Sequence, residues 1–165
     1  QECHYINLSN LKTMFTYMAF EGKWREMLEY MAEEYAKVSS VRDGIEAERT
    51  MQGFFMAYLS LSSYYYTAPE LELNHGYCDF FLLPNLTHYP TRHSYIIELK
   101  LMPKKQKGMT EEEYKAKVIE QWNNAVNQIN HYAVAPKVEA LRQSTQLHKI
   151  IMQFEGWKLK KIEEV

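Results

Sequence analysis

Two opposite charges interrupt an apolar strand in the segment SYIIELKLMP, residues 94 to 103. Tyr95, Ile96, Ile97, Leu99, Leu101 and Met102 give it the character of a buried strand, while Glu98 and Lys100 stand in its middle. Residues two apart leave a strand on the same face, so Glu98 and Lys100 emerge beside Ile96 and Leu99 points the other way. A second apolar run, GYCDFFLLPN from residue 76, is broken only by Asp79. Leaving such charges uncompensated costs on the order of several kcal/mol each, and it pushes carboxylates toward their neutral form. The fold must therefore compensate them in one of two ways. Lys100 can bridge Asp79 and Glu98 in a buried ion-pair network, which rarely gains stability over apolar packing. Alternatively, Asp79 and Glu98 can share a divalent cation such as Mg²⁺, a hard ion that takes one or two carboxylates and keeps waters and phosphate oxygens. In that second arrangement Lys100 would orient water or help deprotonate it, and would stabilise charge on a phosphoryl group.

The surrounding pattern is helix, three strands, helix, strand. Ser9 is expected to cap a helix carrying Leu11, Met14, Phe15 and Met18, with Gly22 ending it. A second helix buries Trp24, Met27, Leu28, Met31 and Tyr35 and leaves Glu26, Glu29, Glu33 and Glu34 mostly outside. A third, capped at Ser40, places Ile45, Glu48, Gln52, Phe55 and Leu59 on one stripe, so Glu48 faces inward and needs a partner. Strands follow at YYTAPELELN, GYCDFFLLPN and SYIIELKLMP, the last two apolar on both faces, as strands covered by helices on each side are. Thr110 and Glu113 form a capping box opening a long helix to about residue 133, with Tyr114, Val118, Trp122, Ala125, Ile129 and Tyr132 inward. A short helix at VEALRQS precedes a return to strand character in HKIIMQFEGWKLKKI. The order implies an α/β fold, a sheet between helical layers, without internal repeats.

Composition narrows function mainly by exclusion. With 165 residues, 46% of them hydrophobic, the chain can build one compact core. Its net charge of −2 provides no global basic field for nucleic acid, so such binding must use local patches. No apolar run approaches the roughly 20 residues that span a bilayer, and no signal-peptide pattern opens the chain. Cys3 and Cys78 are not expected to pair, which fits a reducing, cytoplasmic setting. The sequons at Asn7 and Asn85 are discounted. An initial Gln rather than Met suggests a piece of a longer protein.

The blocks GIEAERTMQGFFMAYLS, PELELNHGYCDFFLLPN, SYIIELKLMP and AVNQINHYA, in this order, resemble the PD-(D/E)XK nuclease superfamily. The likeness is closer to the nuclease-like domain at the C-terminal end of bacterial AAA-ATPase-like proteins, and it spans about residues 40 to 162. It implies a restriction-endonuclease-like core with a mixed sheet over residues 40–165, residues 1–39 being an N-terminal helical extension. It further implies Mg²⁺ or Mn²⁺ held by Asp79, Glu98, the Leu99 carbonyl and Glu48, with Lys100 as catalytic lysine. Gln128 would position substrate or the lysine. Nucleic acid would be the partner, and an ATPase-like domain would share the parent chain. The family's motif proline is replaced here by Cys78. Two activities fit this resemblance: a metal-dependent nuclease cleaving DNA or RNA, and an inactive nuclease fold retained for nucleic-acid or protein binding.

Other groups have plainer readings. Glu70 and Glu72 suit an exposed strand face, His75 a turn, and the lysines of MPKKQKG and GWKLKKI a solvated surface. His88, His93 and His131 show no zinc-ligand spacing. The Tyr64-Tyr65-Tyr66 run is expected in the core.

Overall fold

A computed structural model of the chain describes residues 7–39, 47–73 and 76–165, with the side chains of residues 39, 47–48, 69–73 and 76–78 outside the described set. Helices α1 (Leu8–Glu21), α2 (Arg25–Ser39) and α3 (Ala47–Leu59) lead into strands β1 (Tyr65–Leu73), β2 (Gly76–Pro84) and β3 (His93–Leu101). Helices α4 (Glu111–Ala133) and α5 (Pro136–Arg142) then connect to β4 (Gln146–Glu155) and β5 (Lys158–Glu164). The strands form one sheet in the order β1-β2-β3-β4-β5. Among the described strands only the β3–β4 pair is parallel, and it runs in register from His93↔Gln146 to Leu101↔Phe154. A parallel pair needs a long crossover, and α4 and α5 supply it.

Alternation along the strands divides the core into two layers. Phe80, Leu82, Tyr95, Ile97, Leu99, Ile150 and Met152 join the apolar faces of α1, α2 and α3 in the larger cluster. On the opposite face Phe81, Ile96 and Ile151 pack against Trp122, Ala125 and Ile129 of α4. The sheet is thus α/β, mixed and covered on both sides, as the two-faced apolar strands required. Both layers leave the C-terminal end of β3 within reach.

Several local expectations hold for identifiable reasons. The Thr110 hydroxyl accepts from the Glu113 amide at 3.1 Å and the Glu113 carboxylate accepts from the Thr110 amide at 3.1 Å, closing the capping box. Pro136 opens α5, where a missing N–H costs nothing.

Others differ. Asn7, not Ser9, caps α1, its side-chain oxygen accepting from the Asn10 amide at 3.1 Å. Ser9 lies inside the first turn, because the helix starts one residue before it. Glu34 is buried, the exception to an acidic face expected to lie mostly outside. It stands three and seven residues after Met31 and Met27, hence on their stripe, and its carboxylate takes the Lys37 ammonium at 3.0 Å. Tyr66 is 56% exposed while Tyr65 is buried, since neighbouring strand residues face opposite ways. The last strand-like segment is a hairpin that turns through Gly156 at φ 60°. The Ser40 cap, Ile45 and the Asn74-His75 turn lie outside the described residues.

At the N-terminal ends of β3 and β4, a contact absent from the sequence reading ties the helical layer to the sheet. His93 Nδ1 and His148 Nε2 meet at 2.8 Å, and His148 Nδ1 bonds the Glu164 carboxylate of β5. Trp24 Nε1 donates to the same carboxylate at 3.4 Å. Burial, then the neighbouring His148, holds the His93 imidazole below its ordinary pKa. Gly22 closes α1 at φ 69° directly over these rings, where an added Cβ would stand 2.9 Å from the His93 ring. Gly22→Ala therefore combines a left-handed backbone penalty with a steric one. It should lower the urea-unfolding midpoint at unchanged slope, a loss of about 1–3 kcal/mol.

Candidate active site

The site begins where β2 and β3 stop pairing. Among the described residues their register runs only from Phe80↔Ile97 to Leu82↔Tyr95. Past Phe80 side chains continue what the backbone ladder leaves off. The Leu99 amide donates to Asp79 Oδ2 at 2.6 Å, and the Asp79 amide donates to Glu98 Oε1 at 3.3 Å. Each acidic residue thus anchors on the other strand, and the two carboxylates are drawn together. Gln52 of α3 donates to Asp79 Oδ1 at 2.8 Å.

Glu98 is 2% exposed. Burial, and then the charge of Asp79, raises its pKa to about 8, against a smaller opposing effect of Lys100. The Lys100 ammonium lies 3.8 Å from Glu98 Oε2 and 3.5 Å from the side-chain Oε1 of Gln128 on α4. At 3.8 Å this is an ion pair of modest closeness, weaker than a bonded clamp. Lys100 opens onto a groove of about 490 Å³ lined also by Leu101, Pro103, Lys117, Asn124 and Gln128. Gln52 arrives from one helical layer and Gln128 from the other, so the charged cluster sits where both layers meet the end of the sheet.

Asp79, Glu98, Leu99, Lys100 and Gln128 are therefore brought together, through direct contacts that link each to the next. Glu48 occupies the first turn of α3, one helical turn before Gln52, and its side chain lies outside the described set, as do those of Glu70, Glu72 and Cys78. Among the described residues no group of three or more His, Cys, Asp and Glu side chains is arranged to hold a metal. The acidic groups that converge here are two, Asp79 and Glu98. Their chemistry fits a hard divalent cation: the buried Glu98 carboxyl, held toward its neutral form by burial and by the charge of the half-buried Asp79, becomes a second anionic oxygen donor only where added positive charge draws off its proton.

Sequence reasoning missed Gln52 as part of the site. It had placed this residue on the inward stripe with Glu48, and a polar residue on such a stripe is the signal that could have found it. Gln153, which joins β4 to Gln121 and the Val118 carbonyl of α4, was missed as well.

The fold and this cluster define a restriction-endonuclease-like protein. The model of the PD-(D/E)XK nuclease superfamily matches residues 46–164, so the chain belongs to that superfamily. The match takes in α3 and the whole sheet and leaves out α1 and α2. Comparisons with curated proteins and with solved structures found no match.

The raised Glu98 pKa has a measurable consequence. Between the ordinary value of 4.5 and about 8, the folded metal-free protein keeps a proton that the unfolded chain releases. Stability should therefore be greatest below pH 4.5 as far as this group is concerned, and should fall as pH rises to about 8. Glu98→Gln removes the ionising group. Thermal melts in EDTA should show a smaller loss across that window for the variant than for the wild type.

Proposed function

We propose that the chain is a divalent-metal-dependent nuclease hydrolysing DNA or RNA phosphodiester bonds. The carrying observation is the reciprocal Asp79–Glu98 anchoring, which brings two carboxylates together beside Lys100 at the mouth of a groove. In this reading Asp79, Glu98 and the Leu99 carbonyl hold Mg²⁺ or Mn²⁺, and Glu48 completes the set directly or through water. The cation, when bound, supplies electrostatic activation of water and of the phosphoryl oxygens.

The chain's own groups do the rest. Gln52 holds the Asp79 carboxylate in place by donating to Oδ1. Lys100, a donor on the groove side, orients the attacking water and stabilises charge as it develops on the phosphoryl oxygens. Gln128 accepts from Lys100 and limits where its ammonium can go. Water attacks phosphorus and gives up one proton to solvent as the new P–O bond forms, the ester P–O bond breaks, and the departing oxygen takes up a proton from solvent. Phosphate contacts come from local lysines such as Lys117 in the groove, since the overall charge is −2.

The finer likeness to the nuclease-like domain of bacterial AAA-ATPase-like proteins supports a parent chain in which an ATPase-like domain accompanies this one in the cytoplasm. Residues 1–39 would extend a nuclease unit at 40–165. No described helix is long and apolar enough to cross a membrane.

Single-stranded, duplex and structured DNA and RNA should be screened with Mg²⁺ and with Mn²⁺. Cleavage is expected with at least one substrate class, and Asp79→Ala and Lys100→Ala should each reduce it by about 10²-fold or more. Mg²⁺ should also raise the melting temperature of the wild type but not that of Asp79→Ala. A protein that neither binds metal nor cleaves any of these substrates would instead be a nuclease fold kept for binding.

A further inference from the structure

We propose that Gln153 and Gln121 form a buried amide relay that positions Lys100. They act as positioning residues, not as groups that touch substrate. The inference rests on the nuclease reading for its kinetic part and on geometry alone for the rest.

Gln153 is 1% exposed near the C-terminal end of β4, with Ile150, Ile151, Met152 and Phe154 fully buried around it. It stands directly opposite Lys100 in the parallel register. A buried amide is tolerated only when its hydrogen bonds are made, and an apolar residue would fill such a core position without that demand. Gln153 Nε2 donates to the Val118 carbonyl at 3.1 Å and to Gln121 Oε1 at 2.9 Å, both on α4. Gln121 Nε2 in turn donates to the Leu101 carbonyl at 2.8 Å, one residue after Lys100. The chain of bonds runs from β4 through α4 to the end of β3.

The relay fixes two things at once. It ties down the backbone that carries Lys100, and it sets the height and rotation of α4 against that backbone. Gln128 lies seven residues beyond Gln121, two turns along the same face, and it meets the Lys100 ammonium at 3.5 Å. Both the origin of the lysine and the group that receives its ammonium therefore depend on the same amides. Misplacement of a reacting group by about 1 Å can cost 10²-fold in rate.

Gln121 also borders the groove, so its own loss could reflect a lost substrate contact. Gln153 is too deeply buried for that. The test compares wild type, Gln121→Met, Gln153→Met and the double variant. It reads kcat and KM on an oligonucleotide the wild type cleaves, and the position of the Lys100 Cε resonance in ¹³C-labelled protein. Each single variant should lower kcat about 10- to 100-fold, leave KM within about twofold and displace the Lys100 resonance. The double variant should be no worse than the poorer single one, as members of one network behave.

Folded single variants with wild-type kcat, or with an undisplaced Lys100 resonance, would overturn the relay, as would multiplicative losses in the double variant. Should Gln153→Met fail to fold, the Lys100 resonance of substrate-free Gln121→Met decides, since it does not depend on any substrate contact of Gln121. Absence of any cleavage by the wild type would count against the nuclease reading, and the Lys100 resonance would still decide the relay.

Discussion

The organisation of this protein turns on the place where β2 and β3 exchange backbone pairing for side-chain bonds. Asp79 uses its carboxylate to accept the Leu99 amide, and offers its own amide to Glu98. The exchange satisfies backbone donors near the end of the paired register, which burial would otherwise make costly. It also draws two carboxylates together inside a sheet, where burial and then the charge of Asp79 raise the Glu98 pKa. One set of hydrogen bonds thus serves the fold and holds Glu98 toward its neutral form.

The remainder of the structure holds that arrangement from two sides. The larger apolar layer carries α3 and with it Gln52, which fixes Asp79. The smaller layer carries α4 and with it Gln121 and Gln128, which bracket Lys100 along one helical face. Neither layer alone completes the cluster. The distant His93–His148–Glu164 chain has a separate task, joining the α1–α2 turn to the opposite end of β3 and β4.

Much of this was legible in the residue pattern. Apolar strands with Asp79, Glu98 and Lys100 inserted, a capping box at Thr110, and helices on either side indicated a sheet covered by helices with charged groups in the middle of its strands, and the family resemblance added that the sheet is mixed. The signals are local or near-local: alternation of two, a stripe of three and four, a cap with its partner three residues on. Where the local signal was ambiguous the reading slipped. Ser9 and Asn7 are both good caps, and Glu34 sits on the margin of an apolar stripe where type and position disagree. The hairpin at Gly156 was read as one strand because its turn is short.

What sequence by itself determined was which elements form and which face of each carries charge, because periodicity and propensity act between residues close along the chain. Only tertiary structure decided that Gln52 meets Asp79 across 27 positions, that Gln153 meets Gln121 across 32, and that His93 meets His148 across 55. Such pairings depend on strand register and on helix height over the sheet. Those quantities emerge when many apolar contacts are packed together, and no single residue encodes them.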